Sequence, residues 1–252
     1  MDDRSRSAPT ALAGLAGLAG LSLLALTACA PAGAADAAAV PAGPAAAAQD
    51  APAVERGARS AADPQLPTYT AAITPVGAAD LPASWRPGCP VGPQQLRLVT
   101  FTHVDLAGRV ATGRLVVRED VAQPVADVLG DLYAARFPIA QAQPVDVFGG
   151  SDDASMAANN TSAFNCRQVT GGTRFSEHSY GTAVDLNPVQ NPYVRGTTVL
   201  PEAGRAFVQR TPAPGVVLAG DAAVRAFAER GFSWGGDWSS LKDYQHFSLS
   251  GD

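Results

Sequence analysis

The chain contains three histidines, and two of them stand in patterns that could hold a metal ion. His178 lies in Ser176-Glu177-His178-Ser179-Tyr180-Gly181-Thr182-Ala183-Val184-Asp185, and His246 lies in Asp243-Tyr244-Gln245-His246-Phe247. A catalytic zinc site takes three protein ligands from imidazole and carboxylate, and leaves a fourth position for a water whose pKa falls to about 7. His178, Asp185 and His246 supply such a set for one Zn2+ per domain. Gly181 lets the chain reverse, so that His178 and a strand-borne Asp185 approach one ion. Hydrolysis also needs a carboxylate that takes the water's proton and passes it to the leaving group. Asp243, three residues before His246, is the nearest candidate. Residues three apart in a regular strand face opposite sides, so Asp243 must sit in a turn or bulge before the strand that carries His246. The third histidine, His103, follows a β-like run and reads as structural.

The elements that position these residues begin where aromatic residues begin, at Tyr69. We expect one domain over residues 69–252, a length that suits a single core. Leu96–Val104 and Arg109–Arg118 read as strands joined across Asp105-Leu106-Ala107-Gly108. The spacing of Val125, Val128, Leu129, Leu132 and Tyr133 predicts a helix over Val121–Phe137, capped by Asp120 and ended by Pro138. A short helix is expected over Ala154–Asn160, opened by Asp152 or Asp153. Ala183–Asn187 reads as a strand with Val184 and Leu186 on one face and Ala183, Asp185 and Asn187 on the other. Asp221–Arg230 reads as a helix stopped by Gly231, and Tyr244–Leu249 as a final strand. Strands and helices mix without a βαβ rhythm, so the fold class is α+β.

The two motifs resemble the M15 family of zinc D,D-peptidases, the group of VanY-type D-alanyl-D-alanine carboxypeptidases and L-alanyl-D-glutamate endopeptidases. The family pattern is S-x-H-x-x-G-x-A-x-D followed by [DE]-x-x-H-F, and it stands here as Ser176–Asp185 and Asp243–Phe247. Asn159–Arg167, Asn191-Pro192-Tyr193 and Trp234–Trp238 extend the likeness over most of residues 94–249. The resemblance implies a Hedgehog/D,D-peptidase-like single domain, with a small antiparallel central sheet flanked by helices. It also implies His178, Asp185 and His246 as zinc ligands and Asp243 as general base and then acid. Arg167 would hold the substrate's carbonyl oxygen or carboxylate, and Ser176 would hydrogen-bond substrate. Glu177 stands outside the ligand set and reads as a surface carboxylate. The implied activity is hydrolysis of peptidoglycan stem peptides, first at the terminal D-Ala-D-Ala bond, with the L-Ala-D-Glu bond as the alternative. A zinc-stabilised, non-catalytic binder of cell-wall peptide is the alternative from another class, and it would have no need of Asp243 beside the metal.

Two other motif matches are incomplete. Gly231-Phe232-Ser233-Trp234-Gly235 fits a nucleophile elbow, but Gly235-Gly236 follows where a helix should begin. Ser239-Ser240-Leu241-Lys242 fits the S-x-x-K of serine D,D-peptidases, but Lys242 is the chain's one lysine and the required K-T-G cannot be completed.

The remaining sequence sets the address. Residues 1–28 read as a lipoprotein signal: Arg4 and Arg6 precede an apolar run over Ala11–Ala28, and Leu26-Thr27-Ala28-Cys29 resembles a lipobox. Cys29 would then be lipidated, with a retained membrane helix as the alternative. Residues 29–68 are mostly Ala, Pro and Gly and read as a flexible tether. Both readings put the rest outside the cytoplasm, lipid-anchored to the outer face of the cytoplasmic membrane in the first case. With Cys29 lipidated, Cys89 and Cys166 remain, and in an oxidising compartment they read as one disulfide, two separate buried thiols being the alternative. A net charge of −5 argues against a broad phosphate-binding surface, so nucleic acid is not expected as a partner. We expect a monomer whose partners are the stem peptide and, through the lipid, the membrane.

Overall fold

Val99 and Phe101 on one strand and Leu115 and Val117 on the next are all buried on a shared face. These strands, β2 (Leu96–Val104) and β3 (Val110–Arg118), form the longest hairpin, and β1 (Ala71–Pro75) adds an exposed third strand in the order β1-β2-β3. The computed structural model describes residues 66–169 and 171–251. The expected signal, Cys29 and the tether up to residue 65 lie outside the described residues. Helix α1 (Glu119–Ala134) follows β3 directly and lays Val121, Val125, Val128, Leu129 and Leu132 on the buried face of the hairpin.

The hairpin forms as expected, its second strand starting at Val110 rather than Arg109, whereas the helix bounds differ from expectation. Arg118 occupies the N-cap of α1, because the last strand residue runs straight into the helix. Asp120 instead binds the Arg118 guanidinium through both carboxylate oxygens, at 2.6 and 2.7 Å. The helix stops at Ala134, before Pro138, as Arg136 turns left-handed at φ 53°. Helix α2 spans Asp152–Ala157 rather than Ala154–Asn160, since Ser151 Oγ caps it by accepting from the Ala154 N–H. Helix α3 (Ala222–Ala228) is capped by Asp221 and lies inside the expected range.

The C-terminal half supplies short strands: β4 (Ala183–Asp185), β5 (Tyr193–Arg195), β6 (Thr198–Leu200), β7 (Ser233–Trp234), β8 (Lys242–Asp243) and β9 (His246–Ser248). They pair antiparallel in the orders β4-β9-β7 and β6-β5-β8. Among the described residues the strands therefore form three small sheets rather than one central sheet, because strands of two or three residues end before a ladder can extend. The fold is a mixed α and β arrangement with few helices. The expected strand to Asn187 ends at Asp185. Asn187 adopts φ 47° and uses its side chain to bind the Ala140 N–H and the Pro138 and Gly215 carbonyls.

Alternation along β4 and β9 divides core from site. Val184 and Phe247 enter the main core, where Phe247 stacks on Phe227 at 3.9 Å between ring centroids. A second core gathers Leu81, Val91, Leu96, Val116 and Phe164 around Cys166, which is disulfide-bonded to Cys89. Among the described residues no helix is long and apolar enough to cross a membrane.

Candidate metal centre and its cavity

His178 is carried by a short 3-10 turn, Glu177–Tyr180, that Ser176 opens by accepting the His178 N–H at its Oγ. Gly181 closes the turn at φ 70°, and its carbonyl accepts the Arg118 N–H at 2.9 Å. A Cβ at Gly181 would lie 2.6 Å from that same backbone nitrogen, so glycine is required both by conformation and by space. The His178 ring is oriented by Nδ1–H donating to the Ala163 carbonyl at 2.6 Å, which leaves Nε2 as the free lone pair.

Asp185 and His246 stand directly opposite one another across the β4–β9 ladder. Asp185 Oδ1 lies 3.0 Å from His246 Nδ1, and Oδ2 lies 3.1 Å from His178 Nε2. The two ring nitrogens are 3.2 Å apart. All three side chains are buried, at 2%, 4% and 6% exposure for His178, Asp185 and His246. Burial would raise the Asp185 pKa, but the charges and hydrogen bonds of His178 and His246 hold it well below the usual carboxylate range. Burial likewise opposes protonation of His178, yet Asp185 outweighs it and the imidazole is raised.

This triangle fits a zinc ion. Ligand bonds of about 2.0–2.1 Å in a tetrahedron place the ligand atoms about 3.3 Å apart, close to the separations seen. Two imidazoles and a carboxylate are also the donors zinc accepts in open, three-ligand sites.

Asp243 ends β8, and the turn Tyr244-Gln245 separates it from β9. The carboxylate thus precedes the His246 strand, as the three-residue spacing requires, and the expected strand Tyr244–Leu249 shortens to His246–Ser248. Trp234 Nε1–H holds the turn by donating to the Tyr244 carbonyl at 2.8 Å, and the Arg210 guanidinium sits 4.3 Å from the Tyr244 ring centre. Gly235 packs against Asp243 so closely that a Cβ would fall 2.6 Å from the Asp243 carbonyl oxygen. The glycine pair therefore serves packing, and Gly235–Asp237 form a 3-10 turn where a nucleophile elbow would need a helix. Asp243 Oδ1 is buried and has no hydrogen-bond partner among the described residues. Burial pushes the Asp243 pKa up to about 6, the Asp185 charge adds to the rise, and His246 and His178 oppose it.

These groups open on one cavity of about 620 Å³, whose wall also includes Arg167 and Ser176. The Arg167 main chain is clamped to the His178 turn, since its N–H donates to Ser179 Oγ at 2.9 Å and its carbonyl accepts the Ser179 hydroxyl at 2.6 Å. Its side chain binds Asp152 Oδ2 at 2.9 Å. The structure thus brings every expected cavity residue together: His178, Asp185, His246, Asp243, Arg167 and Ser176. Glu177 differs from expectation, being half-buried on the cavity wall, where it accepts the Thr182 hydroxyl at 2.9 Å. Lys242 Nζ is engaged by the Gly236 carbonyl at 3.0 Å.

Two cavity residues carry no clear signal in the sequence. Asp152 reads there only as a helix start, because nothing in its separation from Arg167 reveals their contact. Trp238 enters the sequence reading only within the Trp234–Trp238 likeness, with no role of its own, and its ring lies on the cavity wall with its centre 5.5 Å from that of His246.

Residues 170–249 match the family model Peptidase_M15_4, described as D-alanyl-D-alanine carboxypeptidase. The match supports an M15 D,D-peptidase. The matched segment contains the triad, Asp243 and Ser176, whereas Asp152 and Arg167 enter the cavity from the residues before it. No solved structure matches the chain.

Proposed function

We propose that the protein is a zinc-dependent peptidase that hydrolyses peptidoglycan stem peptides, with the terminal D-Ala-D-Ala bond as its substrate bond. The observation that carries this reading is the buried triad of His178, Asp185 and His246 with Asp243 on the same cavity wall, inside the matched segment. His178, Asp185 and His246 would hold the zinc, which when bound would supply Lewis acidity for the scissile carbonyl and the attacking water. Asp243 accepts a proton from that water at its carboxylate and returns it to the departing amine. Arg167 donates N–H to the carbonyl oxygen as it gains charge. Ser176, whose oxygen already accepts the His178 N–H, keeps its hydroxyl hydrogen for a substrate acceptor. Trp238, Leu241 and Met156 give the cavity an apolar wall that limits water around the reacting groups.

The deciding experiment incubates the zinc-loaded full chain with a muropeptide pentapeptide and weighs the products. Loss of one D-alanine is the expected result. A fragment beginning at D-Glu would assign the L-Ala-D-Glu bond instead, and one equivalent of bound zinc without cleavage would overturn the peptidase reading. We further propose that the protein is an exported monomer anchored through a lipid on Cys29, a reading that the Cys89–Cys166 disulfide supports by its preference for oxidising compartments. Cys29→Ala is expected to release the protein from the membrane fraction, as checked by immunoblotting; retention would favour an uncleaved membrane helix.

A further inference from the structure

Neither the triad nor the proton transfer uses Asp152. Although it is the first residue of α2, the cap is Ser151, whose Oγ accepts from the Ala154 N–H at 3.2 Å. Asp152 is therefore available to the cavity, where its pairing with Arg167 leaves the two side chains 21% and 25% exposed. The other Arg167 side-chain contacts are weaker: Nη1 donates to the Gln168 carbonyl at 3.3 Å, and Nε is buried without a partner among the described residues. The Ser179 clamp fixes only the main chain. A long, rotamer-rich arginine needs an anchor near its tip to present one edge of the guanidinium.

We propose that Asp152 is a positioning residue for Arg167, holding the guanidinium on the cavity wall and offsetting its charge. Arg167 then serves a peptide carbonyl oxygen rather than a substrate carboxylate. A carboxylate approaching Arg167 meets a cation that is already paired and the adjacent negative charge of Asp152. A carbonyl oxygen arrives neutral and gains charge only in the transition state, where donors not used by Asp152 become effective. Substrates are thus distinguished at this wall by a main-chain carbonyl. The inference rests on the peptidase reading above for its kinetic arm but not for its binding arm.

The test compares the zinc-loaded full chain as wild type, Asp152→Asn, Asp153→Asn, Arg167→Ala and the Asp152→Asn/Arg167→Ala double variant. Asp152→Asn is expected to lower kcat on the pentapeptide by about 10-fold or more while KM moves by less than about 3-fold. It is also expected to tighten binding of N-acetyl-D-alanine, a carboxylate probe without an ammonium group, by about 5-fold in calorimetry. Both effects vanish in the Arg167→Ala background. Asp153→Asn changes the exposed neighbour in the same helical turn and leaves both readouts at the wild-type value. An Asp152→Asn effect that persists undiminished without Arg167 overturns the proposal, as does probe binding that is unchanged, weaker or undetectable in Asp152→Asn. If the wild type cleaves no pentapeptide, the peptidase reading fails by itself, and the calorimetric comparison still decides the role of Asp152.

Discussion

Asp243 combines a buried, unpartnered carboxylate oxygen with a place beside two imidazoles and a second carboxylate. Burial lifts its pKa from 3.8 to about 6 in the metal-free fold. Between those values the folded protein binds more protons than the unfolded chain, so this residue makes stability fall as pH rises through the window. In the metal-free protein, Asp243→Asn is expected to be more stable than wild type by about 1–3 kcal/mol at pH 7, with the difference gone below about pH 4. Urea unfolding of both proteins in chelator across that range measures it, and a variant no more stable than wild type at pH 7 would show that burial does not destabilise this carboxylate. With zinc, the same variant should keep one equivalent of metal and lose turnover by about 10²–10⁴-fold. Asp185→Asn should act differently, because it removes the one anion of the triad. Zinc should raise the melting temperature of the wild type and leave that of Asp185→Asn nearly unchanged in a thermal-shift titration.

The elements that bring these residues together are short, and their effect comes from register and closure. The β4–β9 ladder sets Asp185 against His246, while the turn closed by Gly181 swings His178 over the pair. Gly181→Ala would place a side chain at φ 70° and against the Arg118 backbone nitrogen, moving the turn that carries His178. We expect it to cost more than about 1 kcal/mol in urea unfolding and to weaken zinc binding in calorimetry by at least about 10-fold. Unchanged zinc affinity would mean that the turn can shift without moving the ligand. At this scale much is legible in the sequence. The triad and Asp243 are marked by residue types at fixed offsets, and the long hairpin and α1 by apolar spacing. What is not legible depends on contacts between distant elements. Asp152 matters only because α2 docks beside Arg167, and Ser151 displaces it from capping. Three small sheets replace one because β4 to β9 are too short for their pairing to show in periodicity. The Asn187 side chain ends β4 by binding loop groups that lie far away in the sequence.

The described residues form two cores, and the disulfide belongs to the smaller one. Cys89 and Cys166 are 77 residues apart, so the bond closes a long loop in the unfolded chain. It also ties the segment after β1 to the residue immediately before Arg167, whose neighbouring carbonyl at Cys166 accepts Nη1 of Arg86 at 2.8 Å. The triad lies elsewhere: Val184 and Phe247, which seat β4 and β9, are in the larger core with α1 and α3. Breaking the bond should therefore separate stability from metal binding. The Cys89→Ser/Cys166→Ser double variant is expected to lose about 2–4 kcal/mol in urea unfolding, mainly through the freed unfolded chain. Its zinc affinity in calorimetry should stay within about 3-fold of wild type, because loss of a cross-link outside the triad leaves the folded ligands in place. Turnover should fall more than metal affinity, since Arg167 sits next to the severed bond. A double variant that loses zinc in proportion to stability would show instead that the two cores act as one cooperative unit, with the disulfide part of the metal centre's own support.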